Sequence, residues 1–93
     1  MMKLVKISAM WCMSCIIMNN LLDDVLSKYN VLFDIEDIDY DMDSDLVSLY
    51  DVGSVLPVYI LMDSSLEVAR LVGEVSESRL ISFLKDNGGI DEV

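Results

Sequence analysis

Apolar and polar residues follow two rhythms along this chain. Lys3 to Ser8 is short, with Leu4, Val5 and Ile7 apolar, and it reads as a buried strand beginning almost at the first residue. From Ser14 to Tyr29 the period becomes helical. Met18, Leu21, Leu22, Val25 and Tyr29 recur at spacings of three and four, while Asn19, Asn20, Asp23, Asp24, Ser27 and Lys28 fill the opposite face. Asn30 is a terminator for that helix, and Val31 to Ile38 reads as a second strand. Asp39 to Asp45 is turn-like, and Leu46, Val47, Leu49 and Tyr50 suggest a short helix ending before Gly53. Pro57 opens a third strand, Val58 to Met62. A turn at Asp63-Ser64-Ser65 leads into a fourth, Glu67 to Val72. Ser76 is an N-cap for a last helix that turns Leu80, Ile81, Phe83 and Leu84 inward and stops at Asn87-Gly88.

The predicted order is β-α-β-α-β-β-α in one domain, residues 1–93. A crossover helix makes the first two strands parallel, and a tight turn makes the last two antiparallel. The expected fold is α/β, a mixed four-stranded sheet with helices on both faces.

Composition narrows the function. A chain of 93 residues buries only roughly two-thirds of its unfolded surface, so it needs a dense core, and 54% hydrophobic residues can supply one. The net charge of −11 repels phosphate backbones and anionic lipid headgroups, which argues against nucleic acid and membrane surfaces as partners. Lys3 and Lys6 followed by the apolar run Ile7 to Met18 imitate a signal peptide. Cleavage there would remove the first strand and both cysteines, and no small-x-small site follows. A cytoplasmic location is expected.

The two cysteines stand in one tetrad, Cys12-Met13-Ser14-Cys15. A bridge that short closes a tiny ring and stabilises little, so the pair points to chemistry or to metal. Zinc wants four ligands, and the chain has no His and no second Cys pair, which leaves redox chemistry as the expectation and no metal or cofactor. The tetrad lies where a strand gives way to a helix. Free backbone N–H groups and the positive end of the helix dipole favour a thiolate there. Cys12 is expected to be the exposed attacking thiol. Cys15, one turn inside, is expected to be shielded and to attack the resulting mixed disulfide.

Trp11-Cys12-Met13-Ser14-Cys15, preceded by a strand and followed by an amphipathic helix, resembles the active site of the thioredoxin-like superfamily. Val55-Leu56-Pro57 is similar to that family's cis-proline segment, and Gly73, sixteen residues beyond the proline, falls at its substrate-groove glycine. The resemblance covers residues 3–87 and is to the trimmed, glutaredoxin-sized form, without the usual first strand and helix. It implies thiol–disulfide oxidoreductase activity in electron transport and redox homeostasis. Disulfide-containing protein or small-molecule substrates and a cellular reductant would be the partners of a monomer. It also implies substrate contacts from Trp11, Met13, Leu56, Pro57 and Gly73. A non-catalytic binding module on the same fold is the alternative.

This sequence departs from the family at one instructive place. Thioredoxins carry an Asp six residues before the first cysteine, often paired with a Lys twenty-two after the second; here those positions hold Lys6 and Asp37. If Lys6 is buried it must be paired, with Asp37 or with Glu36, and it then tunes the thiol pKa values. The alternative is a lysine stretched to solvent from the strand edge. The alternating Asp37, Asp39, Asp41, Asp43 and Asp45 do not satisfy the calcium-loop pattern, because Met42 or Ser44 stands where Gly is required and Ser48 or Tyr50 where Glu is required. They read as a solvated acidic loop.

Overall fold

The computed structural model describes residues 1–93. Its elements are β1 (Met2–Ser8), α1 (Met13–Leu26), β2 (Asn30–Val31), β3 (Phe33–Asp39), α2 (Ser44–Ser48), β4 (Val58–Asp63), β5 (Leu66–Val72), α3 (Glu77–Asp86) and β6 (Ile90–Asp91). The main sheet runs β3-β1-β4-β5, with β1 parallel to β3 and the other pairs antiparallel. That is the mixed four-stranded sheet expected from the order of elements.

Alternation along β1 divides the interior into two clusters. Leu4 faces one side, where α1 and α3 cover the sheet with Met18, Leu22, Val25, Leu80, Phe83 and Leu84. Val5 and Ile7 face the other, where they meet Ile38, Val47 of α2, Leu56, Val58 and Ile60. Helix α1 serves both clusters. Its first turn places Cys15 in the second, and from Met18 onward it packs in the first.

Three details differ from the sequence-based expectation. Helix α1 stops at Leu26 rather than Tyr29, because the Ser27 hydroxyl donates to the Asp24 carbonyl (2.6 Å) and the Lys28 N–H turns back to Val25 (3.0 Å). Strand β3 begins at Phe33 rather than Val31. Residues Asn30–Val31 instead pair antiparallel with Ile90–Asp91, making a two-stranded sheet across the base of α1 and α3. The short helix α2 starts earlier, at Ser44. At the last helix the capping prediction holds: Ser76 accepts from the Arg79 N–H (3.2 Å), and Gly88 takes φ +78° just past the Asn87 cap.

Candidate active site

Strand β1 ends at Ser8, and the chain reverses at once, the Cys12 N–H donating to the Ala9 carbonyl (3.1 Å). Cys12 is the N-cap of α1: its backbone is extended (φ −94°, ψ 107°), its carbonyl accepts from Ile16, and its sulfur accepts from the Cys15 N–H at 3.2 Å. The sulfur therefore occupies the place usually taken by a Ser or Asp oxygen, and it receives one of the helix's unpaired donors.

Cys12 is not exposed, contrary to expectation. It is 7% accessible against 1% for Cys15. Its sulfur turns inward to the helix donor, and the residue packs in the cluster with Ala9, Leu56 and Val58, while Met10, Trp11 and Met13 around it stand out in solvent. The order of accessibility is as anticipated, with Cys12 nearer the surface. Burial, the hydrogen bond to Cys12 and the charge Cys12 would carry push the Cys15 thiol up to about 11, with the Ala9 backbone pulling the other way. At neutral pH Cys15 is a protonated thiol.

The segment resembling the substrate groove meets the cysteines through Leu56. The Leu56–Pro57 peptide is cis, and Leu56 packs in the same cluster as both cysteines. Gly73 is tied to this segment by its N–H to the Pro57 carbonyl (2.8 Å). It adopts φ +83°, and a Cβ there would approach Val55 Cγ1 at 3.3 Å. The glycine is needed for its backbone and for the closeness of Val55. Trp11 and Met13 are 66% and 68% exposed beside Cys12.

Lys6 is the one charged residue buried in the chain, at 8% accessibility. It faces the α1 side, directly opposite Asp37 on β3, and its Nζ lies 3.3 Å from Asp37 Oδ1. Glu36 is taken by Lys3 at 2.7 Å, on the other face of the sheet. Of the two partners weighed for Lys6, the structure has Asp37.

Two neighbours of the tetrad escaped the sequence reading. Asp41 accepts a hydrogen bond from the Trp11 indole at 2.7 Å, so the acidic loop is moored to the tetrad. Tyr59, opposite Lys6 on β4, is 1% accessible and donates to Asn19 Oδ1 at 2.6 Å. Asn19 lies one helical turn beyond Cys15 on the same face of α1. Burial first, then the charge of a Cys15 thiolate, raises the Tyr59 phenol well above its ordinary value. Only the run of Asp after β3 and the polar Asn19 near the helix's apolar stripe hinted at either contact. No group of three or more His, Cys, Asp or Glu is placed to hold a metal ion.

The thioredoxin family model matches residues 1–86. The chain belongs to the thioredoxin family. Thioredoxin-2 of a malaria parasite, described as a component of its protein secretion machinery, superposes with a TM-score of 0.79 at 26% identity over 91% of this chain and 82% of that one. A second malarial protein gives 0.78 at 26% identity over 92% and 96%. A mutant thioredoxin from Halobacterium salinarum gives 0.78 at 22% identity over 92% and 74%, which speaks to fold alone. No curated protein matches. Membership, together with the Cys12/Cys15 pair, supports a thioredoxin-type redox function. No helix is long and apolar enough to cross a membrane.

Proposed function

We propose that this protein is a thiol–disulfide oxidoreductase that exchanges the Cys12/Cys15 dithiol reversibly with disulfides of protein or small-molecule substrates. The observation that carries the reading is the asymmetry of the two thiols at one helix start. Cys12 caps the helix and receives a backbone N–H at 3.2 Å, whereas Cys15 is sealed and held protonated. The Cys12 thiolate attacks a substrate disulfide, one substrate sulfur leaves as a thiolate and takes a proton, and a mixed disulfide forms. Cys15 then gives up its proton and attacks the Cys12 sulfur. The second substrate thiol departs, and the Cys12–Cys15 disulfide has passed two electrons to the substrate. A cellular dithiol reductant restores the pair; run backwards, the same steps oxidise a dithiol partner.

In this scheme Trp11 and Met13 are the exposed substrate contacts, and Leu56, Pro57 and Gly73, which are buried, line the groove behind them. Lys6, with Asp37 as its counter-charge, is assigned the tuning of the thiols in this scheme, at the strand position where thioredoxins have a carboxylate. We place the protein in the cytoplasm as a monomer.

The test is trapping. Cys15→Ser is expected to accumulate mixed disulfides with substrate, and Cys12→Ser few, both with turnover lost. Trapping chiefly through Cys15 in the Cys12→Ser variant would reverse the roles. An intact fold without turnover of any disulfide would leave only a binding module.

A further inference from the structure

The redox thiol sits inside an apolar collar whose rim is acidic, and the chain's own cations do not neutralise that rim. Met10, Trp11 and Met13 are 84%, 66% and 68% exposed around Cys12, although each could bury an apolar face. The loop after β3 is fastened to this collar by the Trp11–Asp41 hydrogen bond (2.7 Å) and by the Tyr40 N–H to Ser8 (2.8 Å). It is knit internally as well: Asp39 Oδ1 accepts from the N–H groups of Asp41 and Met42, and Asp43 Oδ2 accepts from the Asp39 N–H. Asp41 is thus held beside the collar, while the Asp39 and Asp43 carboxylates fix the loop that carries it.

Every ion pair of the chain lies elsewhere. The N-terminal amine engages Asp63, Lys3 engages Glu36, and Lys6 engages Asp37. Lys28 engages Asp24 and Glu77, Arg70 engages Glu67, and Lys85 engages Glu92. None reaches Asp39, Asp41, Asp43 or Asp45. An apolar platform bordered by unneutralised carboxylates attracts a partner with the inverse pattern.

We propose that the docking surface around Cys12 selects cationic polypeptides: an apolar residue beside the reacting cysteine lies on Met10, Trp11 and Met13, and flanking Lys or Arg meet Asp41 and its neighbours. The inference rests on the oxidoreductase reading and names the substrate class for that site. Attraction of this kind acts mainly on encounter, so it raises the second-order rate of mixed-disulfide formation and fades as salt screens the carboxylates.

The experiment uses the full chain, reduced beforehand and freed of reductant. Formation of the Cys12–Cys15 disulfide is followed in single turnovers against three oxidants. Two are cystine-bridged peptides identical except for Lys or Glu on either side of the bridge, each with a leucine beside the cysteine. The third is the small neutral hydroxyethyl disulfide. At low salt the Lys peptide should react at least about tenfold faster than the Glu peptide, and the advantage should shrink steadily with added salt. Asp41→Asn keeps an acceptor for the indole and removes the charge, so it should lower the Lys-to-Glu rate ratio. Equal rates for the two peptides, or a ratio indifferent to salt and to Asp41→Asn, would overturn the inference while leaving the oxidoreductase reading intact. Failure to react with all three oxidants would overturn the oxidoreductase reading, and the inference with it.

Discussion

The two faces of the sheet are built from similar residues and do different work. On one, α1 and α3 seal a cluster of twelve buried residues, including Leu4, Met18, Leu22, Leu80 and Leu84 at 0% accessibility. On the other, a five-residue helix and the acidic loop cover a cluster of ten that contains both cysteines. The first face is closed by long amphipathic helices whose residues have no other place to go. The second is closed by shorter segments, with Cys12 at 7% accessibility and Cys15 at 1%. The larger apolar cluster lies on the first face and both thiols on the second, and α1 joins them by crossing from one cluster to the other between Cys15 and Met18.

The contrast can be broken most severely at Leu22. Leu22→Ala empties a fully buried site under α3 and should cost about 2–5 kcal/mol in urea unfolding. Thiol titration of the folded variant should stay unchanged. A displaced titration would mean that the two faces are not separable.

A smaller loss is expected at Gly73, on the reactive side. Gly73→Ala places a side chain at φ +83° and presses on Val55, costing about 1–2 kcal/mol. It should also weaken capture of peptide disulfides more than of small ones. Equal loss for both would assign Gly73 to backbone stability alone.

Tyr59→Phe probes the seam between the faces. It leaves Asn19 Oδ1 without its donor and should cost about 1 kcal/mol. A shift in Cys15 titration beyond that loss would extend the reactive region to this pair.

Lys6→Met should change stability least, since the Asp37 side chain is 72% exposed and is left to water, while the methionine keeps the apolar contacts of the lysine stem. If Lys6 tunes the site, the cysteine pKa values rise and the reduction potential becomes more negative. Unchanged values would leave Lys6 a structural residue.

Titration itself sharpens the comparison without any loss of fold. With Cys12 blocked by alkylation, burial alone should keep Cys15 above an ordinary thiol, read from thiolate absorbance between pH 6 and 11. Because the folded pKa is raised, the reduced protein binds this proton more tightly than the unfolded chain. Its contribution to stability is full at neutral pH and is lost as pH rises from the ordinary thiol range towards about 11.

Much of this was legible in the residues alone, because it depends on near neighbours in the chain. The helical stripe from Met18, the Ser76 cap and the strand-to-helix position of Cys12 and Cys15 follow from spacing, and the expected placement of Pro57 and Gly73 came from the family resemblance. The resemblance to thioredoxins, counted without gaps, offered Asp37 as a partner for Lys6 with Glu36 as the other candidate, and Lys6 and Asp37 stand in register. Tertiary structure alone decided which way these groups point and what closes over them. The Trp11–Asp41 bond spans thirty residues, Tyr59–Asn19 forty, and the Asn30 side chain reaches Glu92 sixty-two residues away. Local periodicity carries no trace of contacts so distant, since they exist only once the sheet has brought its strands together. The same holds for Cys12: its position followed from the motif, but its 7% accessibility follows from the packing of Leu56, Val58 and Ala9 around an inward-turned sulfur.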